Sequence, residues 1–256
     1  MKQRFVVSLM LLLLALPCYP ISAQEKVSTN EPASEAAESL NLVAFGELFK
    51  NSEDLQAFEK AVNNPDTGIN NLDLDENDEV DFIRVVEEVA DDTHLVVLQV
   101  PLGKDEFQDV ATIEVEKSGE NQYNLQIQGD ESIYGADYYV TPADVYIYRW
   151  PIINAIYRPL YRPYRSVFYF GSYPHWYRPY RPVSINVYRT RTVRFTARPV
   201  FAITRTSRVR SISKVRYARR SSTLVTKRAR VTTRSTTVTR GNKSATVRTT
   251  RVRRRP

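Results

Sequence analysis

The chain sorts its charges by position along 256 residues. All 29 Asp and Glu residues lie at or before Asp144, and from Val145 to Pro256 there are 28 Lys and Arg and no acid. Only six basic residues fall between Gln24 and Asp144, so that stretch carries −23 against +28 for residues 145–256. Like charges repel within each half and opposite charges attract between the halves. An evenly mixed single globule is therefore not the expected outcome; a two-part protein is. The totals conceal this, because a net charge of +7 and 42% hydrophobic content are ordinary for a globular chain.

Residues 1–23 predict a secretory signal peptide. Lys2 and Arg4 give a positive start, Phe5 to Leu16 an apolar run, and Ile21-Ser22-Ala23 a small-residue exit. The run falls short of the roughly 20 apolar residues that a membrane span needs, and no later stretch is apolar enough for one. Export to the periplasm, the outer-membrane surface or the exterior is the resulting expectation. Cys18, the one cysteine, would leave with the signal. The remaining chain then has no disulfide, no thiolate nucleophile and no cysteine-bound zinc.

Residues 24–37 read as a polar, flexible leader. Over 38–140 the pattern predicts an acidic α+β domain. Leu42, Phe45, Leu48 and Phe49 recur at helical spacing, and Leu55, Phe58 and Val62 form a second apolar stripe with Ser52 as its expected N-cap. Four strands are expected at Val80–Glu88, His94–Val100, Val110–Glu116 and Tyr123–Gln128. Short turns such as Asp91-Asp92 imply antiparallel pairing, since parallel neighbours need a long crossover. The expected fold is thus two N-terminal helices packed on an antiparallel four-stranded meander, followed by a largely disordered basic tail.

The most specific chemical pattern is Asp73 to Asp81. Oxygen-bearing residues at positions 1, 3, 5 and 9 (Asp73, Asp75, Asn77 and Asp81), with the Glu79 carbonyl at position 7, match what a hard cation such as Ca²⁺ requires. The loop resembles those of EF-hands and dockerin-type repeats. It departs from them in having Asp78 where the left-handed glycine stands and Arg84 where a bidentate Glu would close the site. Calcium is the one candidate cofactor; a solvated acidic turn is the alternative.

The basic half reads in two sections. Residues 141–182 are rich in Tyr, Arg and Pro, and the string Tyr-Arg-Pro-Tyr-Arg occurs at Tyr161–Arg165 and again at Tyr177–Arg181. The prolines forbid a long helix or a central strand and favour extended backbone, with one short helix expected over Ile152–Tyr157. Residues 183–256, built mainly of Arg, Thr, Ser and Val, have the composition of a disordered tail. The plan resembles a group of uncharacterised exported proteins from Bacteroidota. The shared segments are Gly68-Ile69-Asn70-Asn71-Leu72-Asp73, Phe82-Ile83-Arg84-Val85-Val86 and Val97-Leu98-Gln99-Val100-Pro101, with a Tyr/Arg-rich tail after them. That resemblance implies the envelope of a two-membrane bacterium and brings no catalytic residues.

Two functional readings are open. In the first, Arg158, Arg162, Arg165, Arg178 and Arg181 pair with phosphate or carboxylate, while Tyr161, Tyr164, Trp176, Tyr177 and Tyr180 stack on the same ligand. The partner would be an anionic envelope polymer or lipid surface: lipopolysaccharide, acidic polysaccharide or extracellular DNA. In the second, the basic and acidic halves pair with each other, within one molecule or between copies as self-association. An enzyme is not expected. His94 opens a strand, His175 lies in a proline-rich stretch, and neither a glycine-rich phosphate loop nor a nucleophile elbow is present.

Overall fold

The computed structural model describes residues 34–104, 106–143, 146–209, 230–240 and 243–253. The expected signal peptide and the expected leader before Ser34 lie outside the described residues. No helix among the described residues is long and apolar enough to cross a membrane.

Short polar caps start the N-terminal helices. Helix α1 (Glu35–Glu38) is capped by the Ser34 side chain, and α2 (Leu42–Asn51) by Asn41, whose side-chain oxygen accepts from the Val43 and Ala44 amides. The cap of α3 (Leu55–Val62) is Asp54, which accepts from Ala57 N at 2.8 Å. Ser52, the expected cap, instead ends α2 and donates to the Leu48 carbonyl. Asp54 stands one residue before the first apolar position, where its side chain reaches the open amides of the first turn.

Antiparallel strands β1 (Arg84–Ala90), β2 (Thr93–Gly103), β3 (Glu106–Gly119) and β4 (Gln122–Gly129) succeed one another as hairpins. Asp91 and Asn121 take left-handed backbone at the two tight turns, a conformation these residue types tolerate better than most. The sheet does not stop at four strands. After a short α4 (Glu131–Tyr134), β5 (Tyr139–Pro142) pairs with β4, and β6 (Phe201–Thr204) pairs with β5, completing six strands in sequence order. Both added strands have four residues, too few for alternation to show in the sequence.

The basic region supplies more of this fold than its composition predicts. A 3-10 turn (Ile147–Arg149) and α5 (Pro151–Ile156) bury Ile147, Trp150, Ile152, Ile153 and Ile156 in the same hydrophobic cluster as Phe45, Phe58, Val96 and Ile113. Residues 183–209, expected to be disordered, contain α6 (Ile185–Thr196) and β6. The expectation fails there because two large side chains, Tyr188 and Phe201, are almost fully buried and tie an otherwise polar stretch to the domain. Phe201 fills the space above Gly46 of α2, where an added Cβ would come within 2.9 Å of the ring. Beyond it, β7 (Arg230–Arg240) and β8 (Lys243–Arg253) pair as a separate two-stranded ribbon; residues 210–229 lie outside the described residues.

Phe201 therefore tests whether the basic region belongs to the cooperative fold. Phe201→Ala is expected to lower unfolding free energy by about 3 kcal/mol, the usual cost of deleting a buried aromatic ring, as measured by denaturant titration. An unchanged midpoint would place this residue outside the folded unit.

Candidate functional site

The two Tyr-Arg-Pro-Tyr-Arg strings form one strap across the start of the sheet. Proline fixes φ near −65° and pushes the residue before it toward extended backbone. At roughly three residues per turn, positions i and i+3 then share one side. In both strings that side is the tyrosine side, and it faces the acidic domain.

In the first string, Tyr161 Oη donates to Glu87 Oε2 at 2.5 Å, and Tyr164 Oη donates to Glu59 Oε1 at 3.1 Å. Tyr164 N also donates to Glu87 Oε2 at 2.8 Å. The backbone joins in: Glu87 N donates to Tyr164 O and Ser166 N to Val85 O, so Tyr164–Ser166 runs antiparallel along the outer edge of β1. The second string does the same to the segment before β1. Tyr177 Oη donates to Val80 O at 2.7 Å, Val80 N donates to Tyr180 O at 2.7 Å, and Tyr180 Oη donates to Asn70 O at 3.0 Å. Asn71 then exchanges two bonds with Val183, and Tyr188 Oη bridges Ile69 O and Asn41 N, both at 2.7 Å. Burial, reinforced by the bond to Glu87, raises the Tyr161 phenol well above its ordinary value; burial likewise raises those of Tyr164, Tyr177 and Tyr180.

The tyrosines expected to stack on a ligand are thus used inside the protein. Tyr177 is buried, Tyr161, Tyr164 and Tyr180 are half-buried, and Trp176 lies against Phe82 with the Lys60 ammonium over its ring. The arginines between them are outside. Arg158, Arg162, Arg165, Arg178 and Arg181 are all exposed. One further arginine does the reverse. Arg84 is buried at the start of β1, its guanidinium held between the Phe107 and Tyr169 rings and donating to Ser166 O at 3.0 Å. It helps to fix the far end of the first string.

His94 belongs to this junction. Its Nδ1 lies 2.6 Å from Glu87 Oε1, and the rings of Tyr157 and Tyr161 lie 4.4 and 5.8 Å from its own. With 5% and 1% exposure, His94 and Glu87 are sealed under the strap, which suits a structural acid–imidazole pair rather than one open to substrate. His175 is exposed at the tip of the Pro174–Tyr177 turn. A cleft of about 320 Å³ lies elsewhere, lined by Asn121, Gln122, Tyr123, Asn124, Ile147 and Arg208 among others. None of the site residues expected from the sequence reaches it.

The 73–81 loop is largely engaged with its own backbone. Asp73 accepts from Asn77 N and Asp78 N, Asn77 accepts from Glu79 N and donates to Asp75, and Asp81 accepts from Leu74 N. Asp78, at the position where calcium loops carry glycine, does take left-handed backbone with φ +63°, as does Glu76. Asp81 turns inward, and burial, with added repulsion from Asp75 and Asp73, pushes its carboxyl up to about 7. Among the described residues, no three acidic, His or Cys side chains converge as a metal-binding group. The five expected ligands, Asp73, Asp75, Asn77, Glu79 and Asp81, sit in one loop whose geometry is that of an Asx-rich turn.

The role of the tyrosines had a sequence signal: identical i, i+3 spacing around Pro163 and Pro179 in a segment facing an acidic domain. No known protein family, curated protein or solved structure matches the chain.

Glu59 gives a pH test of the strap. Burial raises its carboxyl above the ordinary value, against the bonds from Val85 N, Ser166 and Tyr164 that lower it. The folded state therefore holds this proton more tightly than the unfolded chain. The resulting stabilisation is complete below the ordinary carboxylate value and is lost as pH rises through the raised one. Asp81 adds a second loss extending to pH 7. Thermal melts of Glu59→Gln between pH 4 and 8 are expected to show a shallower decline than the parent; an identical slope would contradict the assignment.

Proposed function

We propose that the protein is a non-enzymatic, exported envelope component that holds anionic surface material on the arginine face of its tyrosine strap. One observation carries this reading: in both repeats the tyrosines are consumed by the fold, while Arg162, Arg165, Arg178 and Arg181 are left exposed, with Arg158 beside them. Arginine pairs bidentately with phosphate and carboxylate, and a strap fixed at both repeats presents its cations without the ordering cost of a loose tail. Suitable ligands are lipopolysaccharide, acidic polysaccharide and extracellular DNA. Binding is by charge and spacing rather than by ring stacking, because most of the candidate stacking rings face inward.

A second reading pairs the acidic and basic regions with each other; the phenol and backbone bonds made by residues 146–209 and the Arg189–Glu38 ion pair at 3.1 Å favour such pairing within one chain. Self-association through the same kind of pairing would draw on the cations beyond Val209. The calcium reading would need the 73–81 loop to trade its internal bonds for metal.

The function is tested with duplex DNA as the probe. Replacing Arg158, Arg162, Arg165, Arg178 and Arg181 by Gln is expected to weaken binding regardless of sequence. It should also lower the slope of log affinity against log salt by about one per arginine that contacts phosphate. Unchanged affinity and slope would remove the strap as the binding face.

A further inference from the structure

Between the two repeats the chain makes a tight turn that leaves large apolar side chains exposed on its outer side. Tyr169 N donates to Ser172 O at 3.1 Å and Ser172 N to Tyr169 O at 2.9 Å, leaving Phe170 and Gly171 as the corner. Gly171 has φ +73°, the conformation a type II turn requires at its second corner residue. The inner side is fixed: the Phe168 and Tyr173 rings lie 5.8 and 5.5 Å from Phe82, and Tyr169 covers the Arg84 guanidinium. The outer side is open, with Val167 69%, Tyr169 51%, Phe170 50% and Tyr173 37% exposed. Four large apolar groups within seven residues form a patch that a water-facing turn does not need.

We propose that this turn is a lipid anchor, inserting Val167 and Phe170 into the interfacial layer of an anionic bilayer, with the exposed edge of Tyr169 at its surface, while the strap arginines meet its phosphates. Val167 and Phe170 have no polar group with which to read a sugar or a base; they gain only by leaving water. Tyr169 combines a ring with a hydroxyl, the chemistry favoured at a bilayer surface. Exposed Arg162 and Arg165 precede the turn and Arg178 and Arg181 come after it, so the charge on either side along the chain suits anionic headgroups. Burial, with the nearby carboxylates of the 73–81 loop, raises the Tyr173 phenol. The inference rests on the proposed function for its charge and on the exposed turn for its choice of lipid.

The test compares two probes on the chain from Gln24 onward: vesicles of mixed anionic and zwitterionic phospholipid, and duplex DNA. The variant Val167→Ser with Phe170→Ser replaces two exposed side chains, and its melting temperature serves as the folding control. Vesicle affinity is expected to fall at least about tenfold while DNA affinity stays unchanged. Phe170→Trp is expected to restore binding and to show blue-shifted emission when vesicles are added. Equal vesicle binding by the serine variant, or a parallel loss on DNA, would overturn the anchor. A parent chain that binds DNA but not vesicles would overturn it and leave the proposed function standing; binding to neither would overturn both.

Discussion

The fold of the basic region depends on tyrosine hydroxyls reaching acceptors in the acidic one. A phenol supplies what an arginine-rich stretch otherwise lacks: a large apolar ring to bury, with one donor at its tip that a carboxylate or carbonyl can satisfy. Glu87 shows the arrangement at its densest, with one carboxylate taking Tyr161 Oη and Tyr164 N on one oxygen and His94 Nδ1 on the other. A buried carboxylate left without such donors would be strongly destabilising. The strap and the acidic edge therefore stabilise each other. The same contacts cover the outer edge of β1, which would otherwise present unpaired backbone groups to other chains.

The charge segregation is real but is not resolved mainly by ion pairing. Strap arginines remain outside, where a pair with an exposed carboxylate contributes little. The tyrosines dock the chain and the arginines stay available. This division of labour within one five-residue string is why the region can be both ordered and strongly cationic. It is also why electrostatic attraction alone is a poor guide to where the chain goes.

Much of the central sheet was legible in the sequence because β3 and β4 alternate cleanly and β1 and β2 carry apolar residues on both faces. The helices α2 and α3 were legible for the same kind of reason, from apolar stripes at Leu42, Phe45 and Phe49 and at Leu55, Phe58 and Val62. β5, β6 and α6 were not: they are short or polar, and they form because single residues such as Tyr139, Tyr188 and Phe201 are buried by distant parts of the chain. Composition averages over a window and dilutes such anchors. The candidate site was half legible. The arginines read as charge partners stand exposed, while the tyrosines read as stacking groups for a ligand face the acidic domain instead.

The most direct measurement is native-state amide hydrogen exchange at Val80, Glu87 and Ser166, the amides that donate to Tyr180 O, Tyr164 O and Val85 O. If the strap is part of the cooperative unit, these amides exchange nearly as slowly as the central pairs of β2 and β3. Exchange at the rate of an open chain, beside a protected sheet, would contradict it.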